Sequence, residues 1–224
     1  LKKEISILYE NPHWLAVNKP AGLIVERNPF ESPTVEELVF AHLEEKLKKP
    51  YLGIAHRLDR VTSGVLLFAK KKSALRKLNE QFSSRSIRKT YLAVVEPAPS
   101  ERSQEIIHWL WKDQKNKRAE VYDHPRDKAQ EVRLSYRSLQ TQGEKALLEI
   151  RPHTGKFHQI RAQLAAMGSP ICGEDKYGAS SSEKAFSIAL HAWKLIFEDP
   201  ASGREIELAA PVPDTSPWNL FPLS

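Results

Sequence analysis

One cysteine, Cys172, is all the thiol chemistry this 224-residue chain contains. A disulfide within the chain is thereby excluded, and so is a zinc site built on several thiolates. A reducing cytoplasm is the expected setting. Cys172 follows Ile171 and reads as a small buried hydrophobe. Long apolar runs are missing too. Nothing approaches the roughly 20 residues that span a bilayer, so no membrane partner is expected. Lys2, Lys3 and Glu4 precede only a short apolar run, and no secretory signal is visible. The chain also lacks internal repeats and low-complexity linkers. No His-Glu-x-x-His motif accompanies His56, His158 and His191. Those histidines read as hydrogen-bonding scaffold, with no metal site expected.

What is present fits a globular protein. Hydrophobic residues make up 41%, which is ample for a core and far from disorder. The length suits one large domain or two small ones. A single domain over 1–224 is expected, with Pro97-Ala98-Pro99-Ser100 as the best internal hinge. A net charge of +6 favours polyanions, nucleic acid before acidic membrane.

Hydrophobic patterning predicts two short strands, 6–9 and 14–17, around Asn11-Pro12. A helix is predicted over 34–47. Thr34 and Glu37 have capping-box spacing, and Leu38, Leu43 and Leu47 recur near helical period. Val65-Leu66-Leu67-Phe68-Ala69 has strand composition. Residues 73–82 read as a helix with Leu75, Leu78 and Phe82 inward. Lys89 to Val95 is β-branched and aromatic. Val132, Leu134 and Tyr136 alternate with polar residues, as do Ala146, Leu148 and Ile150. A third helix is predicted over 157–167, stopped by Gly168, and strands are expected at 187–190 and 206–208. Many strands and few helices give an α+β class with a mostly antiparallel mixed sheet flanked by helices.

The most informative segment is His56-Arg57-Leu58-Asp59-Arg60-Val61-Thr62-Ser63-Gly64. It sets one carboxylate between two arginines on a turn that feeds an apolar strand. Loop side chains at such positions are commonly aimed into clefts, and flanking guanidiniums favour the ionised acid. Spacing alone leaves open a solvated turn or a structural ion pair. Likewise Arg161 on its helix could be surface charge, Tyr91 a core aromatic, and Leu190 simply core.

The segment resembles the H-R-L-D-x-x-T-S-G motif of the RluA-type pseudouridine synthases. Five further blocks resemble that family in order: Val17-Asn18-Lys19-Pro20-Ala21-Gly22; Lys89-Thr90-Tyr91; Gly155 to Arg161 (GKFHQIR) with the turn Gly173 to Gly178 (GEDKYG); Leu190-His191-Ala192; and Phe197-Glu198-Asp199-Pro200. The resemblance implies the pseudouridine synthase fold and isomerisation of uridine to pseudouridine in structured rRNA or tRNA, without cofactor. It implies that Asp59 is the essential carboxylate, that Arg161 pairs with it, that Tyr91 stacks on the target base, and that Leu190 walls the other side.

RNA contacts are expected from Arg57, Arg60, Arg88, Lys89 and Lys156. Arg57 would share the side of Asp59 in an extended segment. A second basic group, Lys112, Lys115, Lys117 and Arg118 beside Trp109 and Trp111, reads equally as a solvated loop or an RNA contact. Lys156 stands where the family has Arg, Val61 where Asp is frequent, and Glu174 where Asp is usual. No S4-type RNA-binding domain lies within the chain, so the enzyme would act alone or such a module would precede Leu1. A monomer with no obligate protein partner is expected. Two other classes were weighed. A silent RNA-binding protein would not need the acid, and a glycoside hydrolase usually needs a second carboxylate.

Overall fold

The computed structural model describes residues 5–178 and 187–222. In chain order these form β1 (Ser6–Glu10), β2 (Trp14–Lys19), α1 (Val35–Glu44), β3 (Gly53–Ile54), β4 (Ser63–Ala69), α2 (Lys72–Ser84) and β5 (Arg88–Val95). There follow β6 (Ser103–Asp113), β7 (Arg118–Tyr122), β8 (Gln130–Gln142), β9 (Lys145–Pro152), α3 (Gln159–Ala166), β10 (Leu190–Glu198) and β11 (Glu205–Ala209). The class is α+β, as the patterning predicts. The chain forms two compact units, Leu1–Lys89 with Ala192–Val212, and Thr90–His191 with Pro213–Ser224. Pro97 to Ser100 therefore lies inside the second unit.

In the first unit, β1 pairs antiparallel with β2, and β2 with β4. β10 lies beside β4, β3 also pairs with β4, and β11 pairs with β10. Asn11 closes the first turn, its Oδ1 accepting the N–H groups of His13 and Trp14 at 2.8 and 2.9 Å. Every residue of β4 is buried, which accounts for its unbroken apolar run. Trp14, Leu67 and Phe197 meet Ala74 and Leu78 of α2 in one core, with Leu75 and Phe82 packed at its margin. Thr34 caps α1 through a reciprocal box with Glu37. The buried stripe of α1 is Val35, Val39 and Leu43, so of the leucine series read from sequence only Leu43 belongs to it. Steps of four residues hold one face, whereas Leu47 lies past the helix end and is exposed.

In the second unit, β5, β9, β8, β6 and β7 form an antiparallel sheet in that order. Val132, Leu134 and Tyr136 are buried, as alternation predicts. Three expectations are corrected here. Residues 103–122 form the β6–β7 hairpin, with Trp109 paired to Tyr122 and Trp111 to Glu120, so only its tip is a loop. Helix α3 starts at Gln159 rather than Phe157, because His158 takes the left-handed conformation (φ 54°) at the cap. The strand expected over 187–190 begins only at Leu190 and runs on to Glu198. Mixed polar and apolar residues in 191–198 hid that strand. Cys172 is half-buried, and burial pushes its thiol up to about 11, which disfavours the thiolate.

Candidate active site

The first unit carries Asp59 on the turn between β3 and β4. The turn is tied down by its backbone: the Asp59 carbonyl accepts the Thr62 N–H at 3.1 Å, and Gly22 N–H donates to the Arg60 carbonyl at 2.8 Å. His56 anchors its start. Its Nε2 accepts the Leu67 N–H at 3.1 Å, and its ring lies 4.6 Å from that of Phe82. Burial, with Lys89 nearby, pushes His56 down to about 3, so the ring is neutral and Nε2 stays an acceptor. Gly64 ends the motif at φ +115°, and a Cβ there would stand 2.2 Å from the Ala192 carbonyl oxygen of β10.

Lys19 belongs to the block Val17 to Gly22, but motif reading gave it no role. Its side chain is 0% exposed at the end of β2. Nζ donates to the carbonyls of Pro20 at 2.9 Å, Arg60 at 3.0 Å and Thr62 at 2.8 Å. Three donors meet three acceptors, two of which belong to the Asp59 turn. Burial pushes Lys19 down to about 7, and the Asp59 carboxylate opposes that fall. The place of Lys19 in that block and at the end of the run Trp14-Leu15-Ala16-Val17-Asn18 was the sequence signal, although lysine is normally solvated at such a place.

The arginines beside Asp59 reach outward. Arg57 is exposed and its Nη1 lies 2.9 Å from Glu26 Oε2. Arg60 places Nη1 2.9 Å from Glu31 Oε1 and donates from Nε to the Gly22 carbonyl at 3.1 Å. Arg88 is exposed and pairs with Glu205 at 2.9 Å. Lys89 is half-buried, and burial, followed by Arg85, lowers its pKa.

The second unit carries Tyr91, Arg161 and Leu190. Tyr91 is half-buried on β5 opposite Ile150. Leu190 is buried at the start of β10. Arg161 is buried on α3, held by a fork from Glu174: Nε to Oε2 at 2.7 Å and Nη2 to Oε1 at 2.6 Å. Glu174 is buried as well, and its Oε1 also accepts the Lys176 N–H at 3.0 Å. Sequence reading noted Glu174 only as a mild departure, yet it sets the plane of this guanidinium.

His158 completes the support of Arg161. Its Nε2 lies 3.3 Å from Arg161 Nη1 and its Nδ1 2.8 Å from Tyr177 Oη. Arginine can only donate, so Nε2 accepts and the ring proton sits on Nδ1. Tyr177 Oη also accepts the Ala119 N–H at 2.7 Å. Burial, then Arg161, Lys176 and Lys112, push His158 down to about 3, in keeping with a neutral ring. Gln159 explains the next letter of the block. It accepts from Thr154 Oγ1 and Lys156 N–H at 2.8 and 3.1 Å, and donates to the Arg133 carbonyl at 3.1 Å. Lys156 itself is exposed.

The first unit thus presents a carboxylate turn clamped by a buried ammonium, and the second a guanidinium fixed by a buried carboxylate. An acid of this kind can act as nucleophile or stabilise charge on a sugar. The profile of the RNA pseudouridylate synthase family matches residues 13–166. The chain belongs to that family, and its relatives place it in the RluA-type branch. It is 35% identical over 216 residues to a ribosomal large subunit pseudouridine synthase C of Vibrio cholerae, covering 93% of this chain and 66% of that protein. It is 29% identical over 230 residues to a tRNA pseudouridine synthase C of Vibrio parahaemolyticus, covering 95% of this chain and 92% of that one. The chain thus spans slightly less than two thirds of the ribosomal relative. Among solved structures it is similar to human RNA Pseudouridylate Synthase Domain Containing 4, with TM-score 0.76, 25% identity, and coverage of 93% of this chain and 88% of that one. No helix among the described residues is long and apolar enough to cross a membrane.

Proposed function

We propose that this chain isomerises uridine to pseudouridine in structured ribosomal or transfer RNA, with Asp59 as the essential carboxylate. The observation that carries this reading is the Asp59 turn itself, an intact family motif fastened by Lys19 through the Arg60 and Thr62 carbonyls. In the reaction the N1–C1′ bond breaks, the uracil turns, and a C5–C1′ bond forms. The C5 proton leaves and N1 gains one. Asp59 either attacks C1′ or stabilises charge on the sugar while C2′ is deprotonated.

In this reading Arg161 pairs with Asp59, with Glu174 and His158 holding its plane. Tyr91 stacks on the base and Leu190 forms the apolar wall. The uridine leaves its stack to react, at a cost of about a few kcal/mol. Arg57 fills the vacated space or grips its phosphate. Arg60, Arg88, Lys89 and Lys156 contribute attraction for the backbone. A further basic group lies at the β6–β7 tip, where Lys112 sits 4.8 Å above the Phe157 ring and Arg118 5.6 Å from that of Tyr177. The protein works in the cytoplasm as a monomer, without cofactor or obligate partner.

The test is incubation with uridine-labelled tRNA and rRNA, followed by nucleoside analysis. Wild type forms pseudouridine, whereas Asp59→Asn forms none and still binds RNA. Full product from Asp59→Asn would end the proposal. Release of free uracil would point to hydrolysis instead.

A further inference from the structure

The segment 26–32 leads from β2 toward α1, and its construction is unusual for a solvent loop. Its entry is fastened to the start of α1: the carbonyls of Ile24 and Val25 accept the N–H groups of Val35 and Glu36 at 2.9 and 3.0 Å. Arg27 N–H donates to Glu36 Oε2 at 2.8 Å, and the Arg27 guanidinium lies 4.8 Å from the Phe40 ring. The tip is turned by Asn28, whose Oδ1 accepts the N–H groups of Phe30 and Glu31 at 2.8 and 3.0 Å. This fixed tip holds Phe30 at 91% exposure, about twice that of any other exposed large hydrophobic residue among the described ones.

The same segment supplies both glutamates that meet the arginines flanking Asp59. Glu26 takes Arg57, and Glu31 takes Arg60, each at 2.9 Å. Both pairs are open to water, with side-chain exposures of 68% and 50% in the first and 42% and 43% in the second. Exposed pairs of this kind hold weakly. A backbone phosphodiester offers the same paired-oxygen geometry to a guanidinium and the same single negative charge. An exposed aromatic ring on the same segment as the glutamates that hold two such arginines matches the way single-stranded RNA is bound, by phosphate contacts together with a base stacked on a ring.

We infer that the segment 26–32 is a clamp loaded with phosphate stand-ins: bound RNA takes Arg57 and Arg60 from Glu26 and Glu31, and Phe30 stacks on an unpaired base of the same strand. The inference rests on the reading that this chain acts on RNA. It gives the two glutamates an unusual sign, since they compete with the ligand and their loss strengthens binding. A purely structural pair would show the reverse.

The experiment uses the full chain and a fluorescein-labelled RNA hairpin with a uridine-containing loop, read by anisotropy at low salt. The double variant Glu26→Gln/Glu31→Gln binds about threefold tighter than wild type. Phe30→Ala binds about tenfold weaker, and Phe30→Tyr restores wild-type affinity. Equal or weaker binding by the glutamine variant overturns the clamp, as does wild-type binding by Phe30→Ala. The same preparations are assayed for pseudouridine. Wild type that binds the hairpin but modifies no RNA sinks the proposed activity while the clamp is still judged by affinity. Active wild type with the opposite variant signs sinks the clamp alone, and absence of RNA binding by wild type overturns both.

Discussion

Among the described residues each unit buries one lysine or arginine, and the two satisfy it in opposite ways. In the first, Lys19 gives its ammonium to three backbone carbonyls, with the Asp59 carboxylate adding attraction through space. In the second, Arg161 is gripped by a forked carboxylate on a neighbouring turn. The difference follows from shape. A compact ammonium with three donors gathers carbonyls and so determines the path of a loop. A planar guanidinium needs a planar acceptor and so acquires an orientation. One device places a turn, and the other aims a side chain.

This contrast is best broken from the side of the carboxylates. Asp59→Asn has the largest expected effect, loss of all pseudouridine formation, with little change in thermal stability because its turn is held by Lys19. Glu174→Gln should cost about 3 kcal/mol of stability, because a buried guanidinium loses its charged partner; denaturant titration reads it. Lys19→Met should cost less, about 2 kcal/mol, since neutral carbonyls rather than a charge are left behind. Its catalytic loss should be the larger signature, roughly 10²-fold well below the melting temperature, because the acid is displaced rather than removed. If Glu174→Gln melts like wild type, or if Lys19→Met keeps full turnover, the two devices are not what distinguishes the units.

A gentler probe uses pH. His56 and His158 are both pushed down to about 3 in the folded chain, against about 6.5 when unfolded. Below 6.5 the unfolded chain takes up protons that the folded chain refuses. Stability from these rings is therefore complete above about pH 6.5 and drains as pH falls toward 3. Lys19, pushed down to about 7 in the folded chain, adds a slope of the same sign only at the upper end of that range and none well below it. Melting temperatures measured from pH 7 to pH 4 should fall, and less steeply in His56→Gln. A flat profile would mean that these rings are charged in the folded protein.

Much of this was legible in the chain, and the exceptions share a cause. The capping box at Thr34, the strand 65–69 and the alternation at Val132, Leu134 and Tyr136 are local patterns, and each appears where expected. What sequence reading missed depends on partners distant in sequence. Arg57 and Arg60 stand beside Asp59 in sequence, and each also meets a glutamate, Glu26 or Glu31, which lie 31 and 29 positions away. Lys19 is buried because Arg60 and Thr62, 41 and 43 residues on, bring carbonyls to it. Glu174 holds Arg161 across 13 residues. Polar side chains whose burial depends on distant acceptors leave no periodic trace, so pattern reading does not reveal what holds them.

Gly64 has a last implication. Because the backbone of Ala192 comes within a bond-like distance of where any branch at 64 would start, this position admits no substitution by a larger residue unless two strands move apart. The final letter of the motif is thus written by a neighbour rather than by chemistry. A library randomised across 56–64 should accordingly recover variation at Val61 while returning glycine alone at 64, even under selection for folding with no demand for turnover.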